Sequence, residues 1–185
     1  MAIDWSLYLV TDPDLAGGRE NVVRIVKEAV RGGVSVVQLR DKETSDEQIE
    51  HTARELLAVL GNVPLFINDR VEVAAKLGCH LHIGQGDMAF REARGMLSDE
   101  QLIGLSIGNH AELAAMSDDA RPDVIGIGPV YSTNTKKNAP AGWGQMQQQP
   151  SPAPHGNAAL IPSPSAALKT ITRTSWREAT LPAFA

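Results

Sequence analysis

The chain has 185 residues, enough for a single domain with a sizeable core. Apolar residues make up 43% and charged residues 21%, and the formal net charge is −5, so no general affinity for nucleic acid is expected. One cysteine, Cys79, excludes an intrachain disulfide and suits a reducing, cytoplasmic setting. No stretch approaches the ~18 apolar residues of a membrane span, and MAIDWSLYLVTDPD lacks the basic start of a secretory signal.

In chain order, Leu7 to Val10 reads as a short strand. Val22, Ile25, Val26, Ala29 and Val30 keep helical spacing up to Gly32 and Gly33. Next comes GVSVVQLRDK, residues 33–42, an apolar run that ends in Gln38, Arg40 and Lys42 spaced two apart. On a strand these three share a face and Leu39 takes the other, so an amide and two cations gather at the strand's C-terminal mouth. Such a set suits a polyanion such as a diphosphate, although a solvated charged loop would carry the same residues.

Ser45 with Gln48 reads as a capping box for a helix buried along Ile49, Ala53, Leu56, Leu57 and Leu60. Leu65 to Ile67 forms a strand ending in Asn68 and Asp69, and a short helix through Val71, Ala74 and Ala75 closes at Gly78. A strand over His80 to Ile83 runs into Gly84, Gln85, Gly86 and Asp87, before a helix over Phe90 to Met96. Ile103 to Ser106 is a strand, with Asn109 and Glu112 placed to cap the following helix. Val124 to Ile127 is the sixth strand and opens into GPVYSTNTKK, residues 128–137.

Strict strand–helix alternation with short loops implies parallel strands. Polar groups after successive strands favour a (β/α)8 TIM barrel, which collects these loops at one face, over an open sheet with a single switch point. After Ala141 the composition changes. Residues 142–185 hold six prolines, no valine and no aspartate, against fourteen valines in residues 1–141. A helical turn over Trp143 to Gln149 is compatible with the sequence, and little regular structure is expected beyond Pro150. The expected organisation is therefore an α/β TIM-barrel portion of about six βα units over 1–141 and an irregular Pro/Ala/Ser/Gln-rich tail over 142–185. Its two sheet edges would lie open, since the tail shows little alternating apolar pattern.

Asp69 and Asp87, at neighbouring strand ends, could both reach one cation, and carboxylates together with substrate phosphates are the usual ligands of magnesium. Each could instead cap a helix, Asp69 having Glu72 at capping-box distance. Asn68 could donate to a phosphate or a base, or simply turn the chain. His80 and His82 lack a third His or a Cys and read as packed side chains rather than zinc ligands. Thr133, Asn134, Thr135, Lys136 and Lys137 beside Gly128 make a plausible anion cradle, though not a P-loop.

YLVTD (8–12), QLRDK (38–42), ND (68–69), HIGQGD (82–87), GLSIGN (104–109) and IGPVYSTNTKK (127–137) occur in this order. Each is weak alone. Together, at successive strand ends, they closely resemble thiamine-phosphate synthase, a (β/α)8-barrel transferase. The resemblance implies that hydroxymethylpyrimidine diphosphate and thiazole phosphate are joined to give thiamine phosphate and diphosphate. It implies substrate contacts from the QLRDK stretch (Gln38, Leu39, Arg40, Asp41 and Lys42), Asn68, Ser106, Thr133, Asn134, Thr135 and Lys136, with the thiazole phosphate at Thr133 to Thr135. Arg40, Lys42, Ser106 and Lys136 are the implied catalytic set, and Asp69 and Asp87 the implied ligands of Mg2+. The resemblance runs over about residues 5–141. The family's glycine-rich seventh strand end and its eighth strand are not found beyond, which suggests a reading-frame change near Gly142 or a divergent tail. The competing expectations are an inactive remnant that binds the diphosphate or a partner chain, and the related thiazole tautomerase. Partners beyond the two substrates are restricted to a possible homo-oligomer, with no nucleic acid and no membrane.

Overall fold

The computed structural model describes residues 3–116, 121–128 and 169–172. Two compact units divide the chain, residues 1–103 and 104–185.

In the first unit, four strands follow one another in chain order, each parallel to the last. They are β1 (Tyr8–Val10), β2 (Val36–Leu39), β3 (Leu65–Asn68) and β4 (His80–Ile83). Helices α1 (Val22–Arg31), α2 (Asp46–Leu60), α3 (Val71–Leu77) and α4 (Phe90–Met96) follow the four strands in turn. β2 is buried at all four positions, as a strand covered on both faces must be. The core is apolar and β-rich: Val36, Val37, Phe66, Ile67 and Leu81 are fully buried, and α1 and α2 add Val26, Ala53 and Leu56. Trp5, Tyr8, Phe66 and His80 form a chain of ring contacts with centroids 4.9–6.2 Å apart. Cys79 is buried, as expected of a small apolar residue, and burial pushes its thiol up to about 11.

Local signals act where the sequence placed them. The Ser45 side chain accepts from the Gln48 N–H and starts α2. The Gln48 side chain itself runs along the helix, donating from Nε2 to Thr52 Oγ1. Gly78 ends α3 in the left-handed conformation, φ 67°, which costs glycine little.

In the second unit, β5 (Ile103–Ile107) lies parallel to β6 (Val124–Ile127), with Ser106 opposite Gly126. The short helix α5 (His110–Ala114) begins at a reciprocal cap, in which Asn109 Oδ1 accepts from the Glu112 N–H and Asn109 Nδ2 donates to Glu112 Oε1. A further strand, β7 (Lys169–Thr172), pairs antiparallel with β6, Ile125 opposite Ile171. The tail is therefore not wholly irregular, and the β6 edge expected to lie open is paired. The prolines of the tail bracket a proline-free window, residues 165–181, in which KTIT supplies three consecutive β-branched residues. The composition of the tail as a whole hid that window. The helical turn expected over 143–149 lies outside the described residues.

Candidate active site

The candidate residues of the first unit stand at the C-terminal ends of β2, β3 and β4. Register brings them together. Val10 lies opposite Gln38, Leu39 opposite Ile67, and Asn68 opposite His82. Side chains of the QLRDK stretch alternate as a strand requires. Gln38 is buried and donates from Nε2 to the Tyr8 hydroxyl at 3.0 Å. Burial raises the Tyr8 phenol well above its ordinary range, so it stays protonated. Leu39 and Asp41 face the other way and line a small pocket with Pro13, Arg19, Thr44 and Gln48. Asp41 is held there by Arg19 and by the Glu43 N–H, and the Arg19 hydrogen bond keeps its carboxyl below the usual carboxylate range. With these two side chains engaged elsewhere, the route left for a substrate contact at 39 and 41 is through the backbone.

Arg40 keeps a partly exposed guanidinium, with Nη1 3.7 Å from Asp12 Oδ2. The other oxygen, Oδ1, accepts from the Asp14 and Leu15 N–H groups in the turn that follows β1. Lys42 reaches across to β3, placing Nζ 3.1 Å from Asp69 Oδ2.

Asp69 is where the site departs most from local expectation. It is not a cap, since the N-cap position of α3 is Arg70, and no side chain caps that helix. Asp87 does not cap either, because the N-cap position of α4 is Ala89 and Asp87 Oδ2 accepts from the Gly84 N–H at 2.7 Å. Asp69 sits at φ 63°, a left-handed conformation and the one such non-glycine residue among those described. Its N–H donates to His82 O at 2.9 Å, and Arg70 N–H donates back to Asn68 O at 2.8 Å. This twist turns the carboxylate away from the helix and toward Asn68, Lys42 and Asp87. Left-handed geometry at a non-glycine residue costs energy and persists where surrounding contacts enforce it.

The electrostatics follow from that convergence. Burial, and then the hydrogen bond and charge of Asp87, raise the Asp69 carboxyl to about 6, with Lys42 opposing. Two carboxylates this close cannot both ionise cheaply unless a cation joins them. Among the described residues no group of three or more His, Cys, Asp or Glu converges as a metal site. A pair of carboxylates fits Mg2+ nonetheless, because magnesium keeps several waters and takes further oxygens from substrate phosphates. Asn68 braces the pair, donating from Nδ2 to Asp69 and to His82 O. His82 is buried and His80 Nδ1 accepts from the Leu102 N–H at 3.0 Å, so both histidines are packed as the sequence indicated.

In the second unit Ser106 is half-buried near the end of β5. Gly128, the first residue of the 128–137 loop, donates from its N–H to Ile107 O. Thr133, Asn134, Thr135 and Lys136 lie outside the described residues. Tyr8, Thr11 and Asp12, which the spacing along the chain does not single out, join the site through Gln38 and Arg40. Their signal was the YLVTD motif at the end of β1, next to the strand that bears Arg40.

The profile of the family described as thiamine monophosphate synthase matches residues 7–154. The chain belongs to the thiamine monophosphate synthase family. The match runs beyond Ala141, near which the motif resemblance ends. The multifunctional thiamine biosynthesis protein ThiED of Corynebacterium efficiens is 49% identical over 149 residues, covering 76% of this chain and 20% of that protein. The thiamine-phosphate synthases of Syntrophomonas wolfei and Xanthobacter autotrophicus are each 45% identical, covering 76% and 74% of this chain and 68% and 65% of theirs. The chain thus spans about a fifth of the multifunctional relative and about two thirds of the single-function ones. The solved thiamine phosphate pyrophosphorylase of Pyrococcus furiosus superposes with a TM-score of 0.61 at 26% identity, over 69% of this chain and 62% of that one. The fold class is accordingly α/β of the TIM-barrel type, with four parallel strands in the first unit and a parallel pair in the second among the described residues.

Proposed function

We propose that this chain carries the pyrimidine-diphosphate half of a thiamine-phosphate synthase site, a transferase that joins hydroxymethylpyrimidine diphosphate to thiazole phosphate. The observation that carries the reading is the convergence of Lys42, Asn68 and Asp87 on Asp69, whose backbone is held at φ 63°. A carboxylate pair short of a cation, flanked by Arg40 and Lys42, is what a magnesium–diphosphate requires. Asp69 and Asp87 would hold Mg2+, which when bound neutralises charge on the departing diphosphate.

Gln38 offers the pyrimidine an amide whose orientation Tyr8 sets. Arg40, Lys42 and Asn68 bind diphosphate oxygens, and Arg40 and Lys42, with Ser106 and Lys136, stabilise the charge that develops there. Leu39 and Asp41 contribute backbone groups. The pyrimidine stabilises the cation left when diphosphate departs from its exocyclic carbon, and the thiazole nitrogen attacks that cation. No general base is needed for this step, in keeping with histidines that are packed. Thr133, Asn134 and Thr135 take the thiazole phosphate. A diphosphate-binding set of this kind favours the synthase over a thiazole tautomerase. The single buried Cys79 supports a cytoplasmic setting. A homo-oligomer is part of the proposal and is read by size-exclusion elution. The family-like portion is taken to end between Ala141, where the motif resemblance fades, and residue 154, where the profile match ends. Sequencing the gene across codons 138–150 tests whether 142–185 arise from a reading-frame change.

Calorimetric titration with the pyrimidine diphosphate and Mg2+ tests the function. Arg40→Ala and Lys136→Ala should each weaken binding far more than they lower thermal stability, and unchanged affinity in both would overturn the assignment. Thiamine phosphate formation by the 185-residue chain separates the active enzyme from a remnant that binds without turnover.

A further inference from the structure

We infer that Thr11 is a positioning residue for Arg40, setting the direction in which the guanidinium meets the diphosphate. This rests on the assignment of Arg40 to diphosphate binding. The β1–β2 ladder ends with Thr11 N–H donating to Gln38 O at 2.9 Å. Beyond Thr11 the main chain of β1 turns away at Asp12, whose Oδ1 accepts from the Asp14 and Leu15 N–H groups. No β1 backbone group is then opposite Arg40. The Thr11 side chain takes that place. Its hydroxyl accepts from the Arg40 N–H at 2.9 Å and donates to the Arg40 carbonyl at 3.1 Å. One buried oxygen thus satisfies both backbone groups of the residue where β2 gives way to the substrate loop. A threonine hydroxyl with donor and acceptor both engaged has its rotamer locked, and so has the backbone it holds. Arg40 leaves this clamp with only its side chain free to move, and Asp12 Oδ2 at 3.7 Å holds the guanidinium at the mouth until an anion arrives. Valine at position 11 would keep the shape and the β-branching but lose both bonds.

The experiment is a double-mutant cycle, with inorganic diphosphate plus Mg2+ as the calorimetric probe and the full chain as the protein. Thr11→Val should weaken diphosphate binding by roughly three- to tenfold, the range of one ordinary hydrogen-bond loss transmitted to the ligand. Thr11→Ser, which keeps the hydroxyl, should restore it. In an Arg40→Ala background, Thr11→Val should have no further effect on affinity, because nothing is left for the clamp to aim. A purely structural role would lower melting temperature equally in both backgrounds and leave affinity unmoved, which overturns the inference. An equal loss of affinity from Thr11→Val with and without Arg40 overturns it as well. If Arg40→Ala itself leaves diphosphate affinity unchanged, the site assignment falls and the inference with it.

Discussion

Asp69→Asn should stabilise the metal-free protein above pH 6 while removing its response to magnesium. Burial and Asp87 raise the Asp69 carboxyl from 3.8 to about 6, so the folded chain keeps a proton that the unfolded chain releases. In that window the native state binds more protons, and stability falls as pH rises from about 4 to about 6 and is level above it. The full difference is worth about 2–3 kcal/mol, and it belongs to the Asp69–Asp87 pair rather than to Asp69 alone. Asparagine resembles the protonated acid, can donate to Asp87, and tolerates the left-handed φ of 63° at this position. The variant should therefore lack the acid-side slope and, at pH 7.5, melt on the order of 5–10 °C higher than the wild type. The assay is thermal unfolding from pH 4 to pH 8 in chelator, repeated with millimolar Mg2+. Wild-type protein should gain stability from magnesium and the variant should gain little. A gap between variant and wild-type melting temperatures that does not widen in the variant's favour from pH 4 to pH 6, or a variant that melts lower at pH 7.5, would refute the account of the dyad. The difference is the readout because Asp41 and Glu50, held low by their partners, give both proteins an opposite slope.

Lys42→Ala removes a cation that holds the Asp69 carboxyl down, so half-saturation by Mg2+ at pH 6.5 should need a higher concentration, with the difference shrinking toward pH 8; isothermal titration at both values checks it. Ser45→Ala deletes the side-chain cap of α2 and should cost about 1 kcal/mol in denaturant unfolding, while leaving magnesium binding unchanged. Ile171→Pro removes a ladder donor from β7, opposite Ile125, and should speed amide hydrogen exchange in Val124–Ile127 while leaving the β2 amides as they were.

How much could be read from the chain differs from residue to residue. His80–Ile83, Phe90–Met96 and Val124–Ile127 begin and end where apolar pattern and glycine placed them. The Asn109–Glu112 cap was legible because its partners are three residues apart, and the Gly78 stop because one residue makes it. The same local logic offered a cap at Asp69, and there it failed. The competing partners were Lys42, 27 positions earlier, and Asp87, 18 positions later, and only strand register brings them within reach.

The amino-acid sequence by itself thus determined the succession of βα elements, the polar mouth of β2 and the family motifs, because each is carried by spacing within a few residues. The tertiary structure alone decided what the mouth does with them. It set Gln38 against Tyr8, Arg40 against Thr11 and Asp12, and Asp41 against Arg19, and it drew β7 onto β6 from within a tail whose composition as a whole argued against strands. It also raised the Asp69 carboxyl, since a pKa depends on what surrounds the group in space. Such pairings depend on which strands align and at what register, and a one-residue slip would turn every one of these side chains to the opposite face.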